Sequence, residues 1–555
     1  MTKLSLLSAA LGTEKADLVF YNARVFNPFI CSWKTVNFAV KDGIVLGEGD
    51  YEGIKETDLF GAKVIPGLID AHVHIESSLL TPGEYGRLAL NNGTTTVFAD
   101  PHEIANVAGK NGIKYMLSES SNTPLDIFYM LPSCVPATPF DMGGASLDSD
   151  DLKDFCGEKN IIGLGEMMNY PGVLSGDNEV YKKLDIFNII DGHCPLLSGK
   201  DLNAYIMQGI SSEHECTNSM EAEEKLEKGM YIMLREGSTE KNLSEILSVV
   251  NSCTVSRCMF ATDDRHVDML VNEGHIDDCI RKAISGGLKP ELVYRMATLS
   301  AAERFGLSDR GALSPGRVAD FCIIDDSEEF RILKTYKSGV EIRDNGYIVP
   351  DSVKSSFNPP DLKVDDIKIS GNKKAHIIGL IEGQIITKSL LMDVNSKEIP
   401  DLNRDILKCV VCDRYRGEKT GTGLVTGMGM KKGAIASSVS HDSHNIVSVG
   451  CSDDEIISAI NLLKESKGGM SVFVDGNGFV LPLDCGGIMS SKSYEEVFLD
   501  LQRLNEIIKN TGSTKNPFMY LSFLALTVIP EIRITERGVF DAVEFRDISL
   551  FEKSK

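Results

Sequence analysis

The pattern of apolar and polar positions changes character near residue 66. Before it, from about 17 to 65, runs such as DLVFYNARVFN, TVNFAVKDGIVLGEG and AKVIPG alternate with period two and are broken by Gly, Asn and Asp. That spacing predicts small antiparallel strands. From about 66 to 307, short apolar runs take turns with helical patterns. This texture predicts βα units around a parallel sheet.

The apolar runs of the second region end, in order, at GLIDAHVH, TTTVFADPHE, LDIFYMLPS, IIGLGEMM, FNIIDGHCP, GISSEHE, YIMLREG and CMFATDD. Eight such strands are what a (β/α)8 TIM-like barrel requires, and barrel enzymes gather their chemistry at the C-terminal ends of the strands. Helices are predicted between them. SMEAEEKLEKG before the seventh strand and STEKNLSEILSVVNS before the eighth open on Ser or Thr and close near Gly or Asn. Almost every run stops on a polar or ionisable residue. Six of the ten histidines, His72, His74, His102, His193, His214 and His266, fall at or just beyond those ends.

One strand-end histidine is commonly a hydrogen-bonded core or surface residue. The group is harder to explain that way. Residues i and i+2 of a strand face one side, so His72 and His74 both point into the barrel mouth with Val73 turned away. His193 and His214 come from two later strands, and Glu166 and Asp263 bring carboxylates from the fourth and eighth. Four imidazoles and two carboxylates could hold a pair of divalent metals sharing a bridging oxygen, an arrangement used for hydrolysis by activated water. The ligand set admits manganese, iron or zinc. Asp263 and Asp264 are neighbours, and strand alternation lets only one of them face the metals; its place right after FAT selects Asp263.

Length and composition narrow the class. A chain of 555 residues exceeds what one hydrophobic core usually holds, so two or three domains are expected. Hydrophobic content of 42% and charged content of 25% are those of a soluble globular protein. A net charge of −23 disfavours a nucleic-acid backbone as partner. No apolar stretch approaches the ~20 residues of a membrane span. The opening MTKLSLLSAALGTEKADLVF turns charged too early for a signal peptide, and thirteen scattered cysteines form no disulfide framework. A cytoplasmic protein with reduced thiols is the expectation.

The stretches PGLIDAHVHIESS, DPHEIANVAG, GEMMNYPGV, DGHCP, SSEHECT and FATDDRH resemble the amidohydrolase superfamily and, within it, the adenine deaminase family of bacteria and archaea. The resemblance runs over nearly the whole chain. GALSPGRVADFCIIDD at 311–326 is similar to the point where that superfamily's chain returns to complete a small β-sandwich begun by the N-terminal strands. The tail from about 365, with TGLVTGMGMKKGAIASSVSHDSHNIVSVG and LPLDCGGIMSS, resembles the extra C-terminal domain of adenine deaminases. Four segments are thereby implied: 1–65 and 308–364 as the two parts of the β-sandwich with a linker, 66–307 as the metal-dependent barrel, and 365–555 as an α+β C-terminal domain.

The resemblance also implies residue roles. His72 and His74 would bind the first metal, and His193 and His214 the second. Glu166 would bridge them where many superfamily members carry a carbamylated lysine, and Asp263 would complete the site as ligand and proton carrier. The implied reaction is hydrolysis of adenine to hypoxanthine and ammonia by metal-activated hydroxide, in purine salvage or adenine catabolism, by a homodimer acting on a small-molecule purine base. Asp100, His102 and Glu103 of DPHE sit at the second strand's mouth. They are placed to bind the purine or to protonate its ring, or else only to cap a loop.

Other features are plainer. Cys194 and Cys216, each within two positions of a ligand histidine, read as small buried fillers. CVVC at 409–412 reads as core, because residues i and i+3 of a strand face opposite sides. HDSHN, with His441, Asp442 and His444, suits an extra ion or a cap over the site, or merely bonding to its own backbone. Three alternatives differ in class. A zinc deaminase of the cytidine type would need a P-C-x-x-C half that is missing beside HIE at 74–76. Another amidohydrolase, acting on a different aminopurine or a cyclic amide, would use nearly the same ligands. An assembly protein of this fold with a decayed, metal-free site is disfavoured because every ligand position is filled.

Overall fold

The computed structural model describes residues 3–238, 241–344, 346–353, 355–381 and 386–552. The alternating N-terminal runs form β1 (Ala16–Asn27), β2 (Ser32–Lys41), β3 (Ile44–Glu48), β4 (Gly53–Asp58) and β5 (Lys63–Pro66). β2 pairs antiparallel with β1 and with β3, whereas β4 and β5 lie parallel to β1. The spacing predicted antiparallel strands throughout; the difference arises because the chain makes no third hairpin after β3.

The eight predicted strand ends all terminate strands. They are β6 (Leu68–Val73), β7 (Thr94–Ala99), β8 (Asp126–Leu131), β9 (Ile161–Met167), β10 (Ile190–Gly192), β11 (Ser212–Glu213), β12 (Tyr231–Arg235) and β13 (Cys258–Ala261). β6 to β10 form a five-stranded parallel sheet and β11 to β13 a three-stranded one. Every residue of β6, β7 and β13 is buried, which is why these strands read as continuous apolar runs rather than alternating ones. The whole arrangement curls, because the end of β13 returns to β6. There, the Asp263 N–H donates to the His72 carbonyl at 3.0 Å and the His74 N–H to the Asp263 carbonyl at 3.2 Å.

Asp70, in the middle of β6 and fully buried, reinforces that seam. Its Oδ1 accepts from the backbone N–H groups of His72 and Thr262, both at 3.2 Å, and its Oδ2 accepts from the Thr262 hydroxyl at 2.5 Å. His275 Nε2 faces the same carboxylate at 3.1 Å, and the ring's two nitrogens lie 2.7 Å from the hydroxyls of Tyr85 and Thr94.

β14 (Phe321–Asp325), β15 (Arg331–Lys337) and β16 (Val340–Glu341) carry the chain back to the first sheet, where β14 pairs antiparallel with β5. Phe20 stacks on Phe38 at 4.9 Å and Phe321 on Tyr336 at 4.4 Å to form its core. The helix predicted over SMEAEEKLEKG is present as Ser219–Glu227. The helix predicted over STEKNLSEILSVVNS is not continuous: it shrinks to Leu243–Ile246 and a 3₁₀ turn at Leu247–Val249, and Thr239 and Glu240 lie outside the described residues. Asn242 explains the loss. Its side chain accepts from the Arg235 N–H at 2.7 Å and donates to the His214 carbonyl at 2.8 Å, tying the ends of β11 and β12 instead of capping a helix.

Beyond this region, β17 (Asn372–Leu380), β18 (Thr387–Asn395), β19 (Leu407–Cys412), β20 (Thr420–Thr426), β21 (Ala434–Ser437), β22 (Ile446–Gly450), β23 (Gly469–Val474) and β24 (Asn477–Pro482) make one sheet in the order β18-β17-β20-β19-β22-β21-β23-β24. Cys409 and Cys412 of CVVC are both buried but belong to different apolar clusters on β19. The cluster holding Cys409 also holds Ile104, just beyond β7, and Leu131 of β8, so this sheet shares a core with the curled parallel sheet.

Removing the Asp70 carboxylate tests the seam. Asp70→Ala leaves two backbone N–H groups without their acceptor, at about 1–3 kcal/mol for each orphaned buried group, whereas Asp70→Asn keeps one carbonyl oxygen. Calorimetry should rank wild type above Asn above Ala in transition temperature; an alanine variant as stable as wild type would contradict the role given to this side chain.

Candidate metal centre

The strand ends bring four histidines and two carboxylates together. His72 and His74 come off the end of β6 with their Nε2 atoms 3.2 Å apart. His74 Nδ1 lies 2.9 Å from the Asp100 carbonyl, an acceptor only, so Nδ1 carries the proton and Nε2 presents its lone pair. Glu166, in β9, sits between two pairs of rings. Its Oε1 is 3.3 Å from His74 Nε2 and 3.9 Å from His72 Nε2, while its Oε2 is 2.6 Å from His193 Nδ1 and 3.2 Å from His214 Nε2. Asp263 Oδ1 lies 3.5 Å from His72 Nε2 and 3.1 Å from His74 Nε2.

His72, His74, Glu166, His214 and Asp263 are buried, and His193 is partly open. Several groupings have ligand atoms within 4.8 Å of one another, among them His72, His74 and Glu166; His72, His214 and Asp263; and Glu166, His193 and His214. Such spacings suit donors lying about 2.0–2.2 Å from a shared ion. The donor set also fits electrostatically. Burial pushes the Glu166 carboxyl up, but His193, His214 and His74 outweigh it and hold the group well below the usual carboxylate range. Burial likewise opposes ionisation of Asp263, and Arg235 with His72 and His74 holds it well below. His214 is raised to about 9, burial being outweighed by Glu166. Two anions facing rings that bind protons so readily form a natural seat for cations.

Backbone ties place these side chains. Tyr205 accepts from the His193 N–H at 3.1 Å and donates to the Met167 carbonyl at 2.8 Å, clamping the end of β10 to that of β9. Glu213 accepts from the Cys194 N–H at 2.9 Å, from its thiol at 2.7 Å and from the buried Lys225 at 3.1 Å. That holds the residues flanking His193 and His214 together and gives Cys194 a partner in Glu213.

Strand alternation does not decide between the two aspartates. β13 ends at Ala261, and Asp263 has a φ of +51° in the left-handed region, so the chain turns at this residue. Asp264 then accepts from the Ser77 hydroxyl, and both carboxylates come within 4.8 Å of His74. Burial and Arg235 set them apart: Asp263 Oδ2 accepts from Arg235 Nη1 at 2.7 Å. The same guanidinium reaches Glu215, whose Oε1 is 3.4 Å from His214 Nε2. Neither Arg235 nor Glu215 stood out in the sequence, although YIMLREG and SSEHE place both at strand ends.

The DPHE residues divide. Asp100 Oδ2 accepts from the Glu166 N–H at 3.0 Å, which fixes β9. His102 Nδ1 is 3.5 Å from Glu166 Oε1 and 3.6 Å from Asp100 Oδ1. Glu103 turns the other way, towards His441 and His444.

Residues 63–342 match the amidohydrolase family, whose members typically use a divalent metal centre. Residues 384–546 match the adenine deaminase C-terminal domain. An adenine deaminase of Methanoculleus marisnigri is 58% identical over 518 residues, covering 93% of this chain and all of the relative's (100%). One of Methanoregula boonei is 55% identical over 99% of this chain and 98% of its own, and adenine deaminase 2 of Carboxydothermus hydrogenoformans is 45% identical over 97% and 98%. The chain belongs to the adenine deaminase family within the amidohydrolases.

Arg235 is the cation shared by two carboxylates at the centre's edge. Breaking a buried ion pair costs about 3–5 kcal/mol, so Arg235→Leu should lower the calorimetric transition clearly, and Arg235→Lys, which keeps the charge without the fork, by less. Equal transitions for all three proteins would show that the guanidinium is dispensable.

Proposed function

We propose that this chain hydrolyses adenine to hypoxanthine and ammonia at the His/Asp/Glu cluster. The reading is carried by the 58% identity to an adenine deaminase across that relative's full length, since a metal centre reports the reaction type and not the substrate. The reading includes a closed (β/α)8 barrel over 66–307, a β-sandwich built from 1–65 and 308–364, and an α+β domain over 365–555.

His72, His74, Glu166 and Asp263 would hold one divalent ion, and Glu166, His193 and His214 the other, with manganese or iron favoured and zinc possible. Bound there, such ions lower the pKa of water to about 7 and supply the nucleophile at neutral pH. The chain's own residues do the rest. Asp263, kept ionised beside Arg235 and aimed at His72 and His74, would take the proton given up by the attacking water and pass it to the departing ammonia. Asp100 and His102 form the purine-facing wall, and Glu103, turned to His441 and His444, backs His102 instead of facing the purine. Glu166 would serve both ions as an unmodified carboxylate, so assembly would need no carbon dioxide. A cytoplasmic homodimer is part of this reading; thirteen free thiols suit a reducing compartment, and among the described residues no helix is long and apolar enough to cross a membrane.

A screen of free bases and nucleosides for ammonia release tests the substrate. Adenine should be the preferred source, and release from another base with none from adenine would replace the assignment. Protein loaded with manganese or iron should hold close to two ions per chain, with His72→Ala and His193→Ala losing both metal and turnover. Full activity after stripping the metal would refute the centre, and stimulation by bicarbonate would refute an unmodified bridge. Asp263→Asn should keep the fold and lose about 10²–10⁴-fold in kcat, the usual contribution of a positioned acid/base. A variant within a few-fold of wild type would move the role to Asp264.

A further inference from the structure

A second group of buried titratable side chains lies where the connection between β21 and β22 meets the end of β7. Glu103 and His444 are each only 1% exposed and His441 7%. His441 meets one oxygen of Glu103 through Nδ1, and His444 meets the other through Nε2. The connection is held in shape from several sides. The His444 N–H donates to the Ser440 carbonyl at 2.7 Å, the His441 N–H to the Ser522 carbonyl at 2.9 Å, and the His441 ring stacks on Phe523 with centroids 4.9 Å apart.

The tautomer of His444 follows from its partners. Its Nδ1 accepts from the Ser440 N–H at 3.3 Å, so Nε2 carries the proton and donates to Glu103. A carboxylate whose two oxygens each receive an imidazole N–H is held in orientation and stays an acceptor. Burial alone would raise the Glu103 carboxyl, and His441, His444 and His102 hold it well below its usual range. Glu103 Oε1 in turn lies 3.4 Å from His102 Nε2, and the other nitrogen of that ring is 3.5 Å from Glu166 Oε1. Side chains therefore run in contact from the C-terminal sheet through Glu103 and His102 to the carboxylate between the two histidine pairs.

We propose that His441 and His444 are positioning residues for the deamination, clamping Glu103 and through it His102 so that the C-terminal sheet completes the purine-facing side of the site. The proposal rests on the adenine reading and deepens it. Glu103 is then an oriented acceptor and not the acid that protonates the purine ring.

The test exploits which nitrogen each histidine uses. An asparagine amide reaches the place of Nδ1 and a glutamine amide that of Nε2, so the matched replacements are His441→Asn and His444→Gln, and the mismatched ones His441→Gln and His444→Asn. With full-length, metal-loaded protein, the alanine and mismatched variants should lose about 10–100-fold in kcat/KM for adenine, as a displacement of about 1 Å in a positioned group does, and the matched variants should recover most of it. Metal content should stay at the wild-type level in all of them. Hydrogen exchange in the helix His102–Ala108 should quicken in the mismatched variants and not in the matched ones. Equal losses in matched and mismatched variants, unchanged kcat/KM in both, or loss of metal would overturn the proposal. If the alanine variants fail to fold, the asparagine and glutamine pairs decide it. If wild-type protein releases no ammonia from adenine, the substrate reading falls, and the exchange pattern still decides the clamp.

Discussion

The centre depends on the place where the last parallel strand returns to the first. Asp263 gives its backbone N–H to His72 and its carbonyl to His74, and it aims its carboxylate at the rings of the same two residues. Closing the curl and assembling one half of the cluster are thus a single event. The left-handed backbone of Asp263 makes this geometry available, since an extended residue would send its side chain to one face and its neighbour's to the other. Aspartate tolerates that region better than β-branched or bulky residues do.

Charge balance governs the next layer. Two buried carboxylates, Glu166 and Asp263, would be costly alone, because an isolated ion in a poorly solvated interior shifts its pKa or must be paired. Here imidazoles surround Glu166, and Arg235 takes the outer oxygen of Asp263. Further out, Asp70, Glu213 and Asp100 each take a backbone N–H beside the cluster, and Glu213 also takes the Cys194 thiol and the Lys225 ammonium. They fix where the inner groups point. The sequence therefore uses its acidic residues in two ways: inner ones facing rings and outer ones holding main chain.

The strand ends were legible because a buried parallel strand must be apolar throughout and can carry polar groups only where it stops. His72, His74, Glu166, His193, His214 and Asp263 all sit at such stops, and the structure brings them together. What local pattern could not convey is where chain direction or side-chain pairing depends on distant residues. The turn at Asp263 is set by its pairing with β6, a partner far away in sequence. Asn242 sits in a helix-forming run, yet its amide is worth more between His214 and Arg235 than as a cap. β4 and β5 look like hairpin strands and pair parallel because of how the chain crosses.

HDSHN is the clearest instance. As sequence it is a polar turn, and such turns usually satisfy their own backbone, which His444 in part does through Ser440. Its other contacts lie 338 and 341 residues away, at Glu103. Glu103 follows His102 beyond the end of β7, where the sequence leaves open whether it faces the purine or only caps a loop. Once two imidazoles occupy its oxygens, its place between the sheets becomes that of a keystone. A carboxylate shared by two packed units ties their relative position to the orientation of His102, and this gives the C-terminal sheet a physical means of acting on a centre to which it contributes none of the six clustered residues.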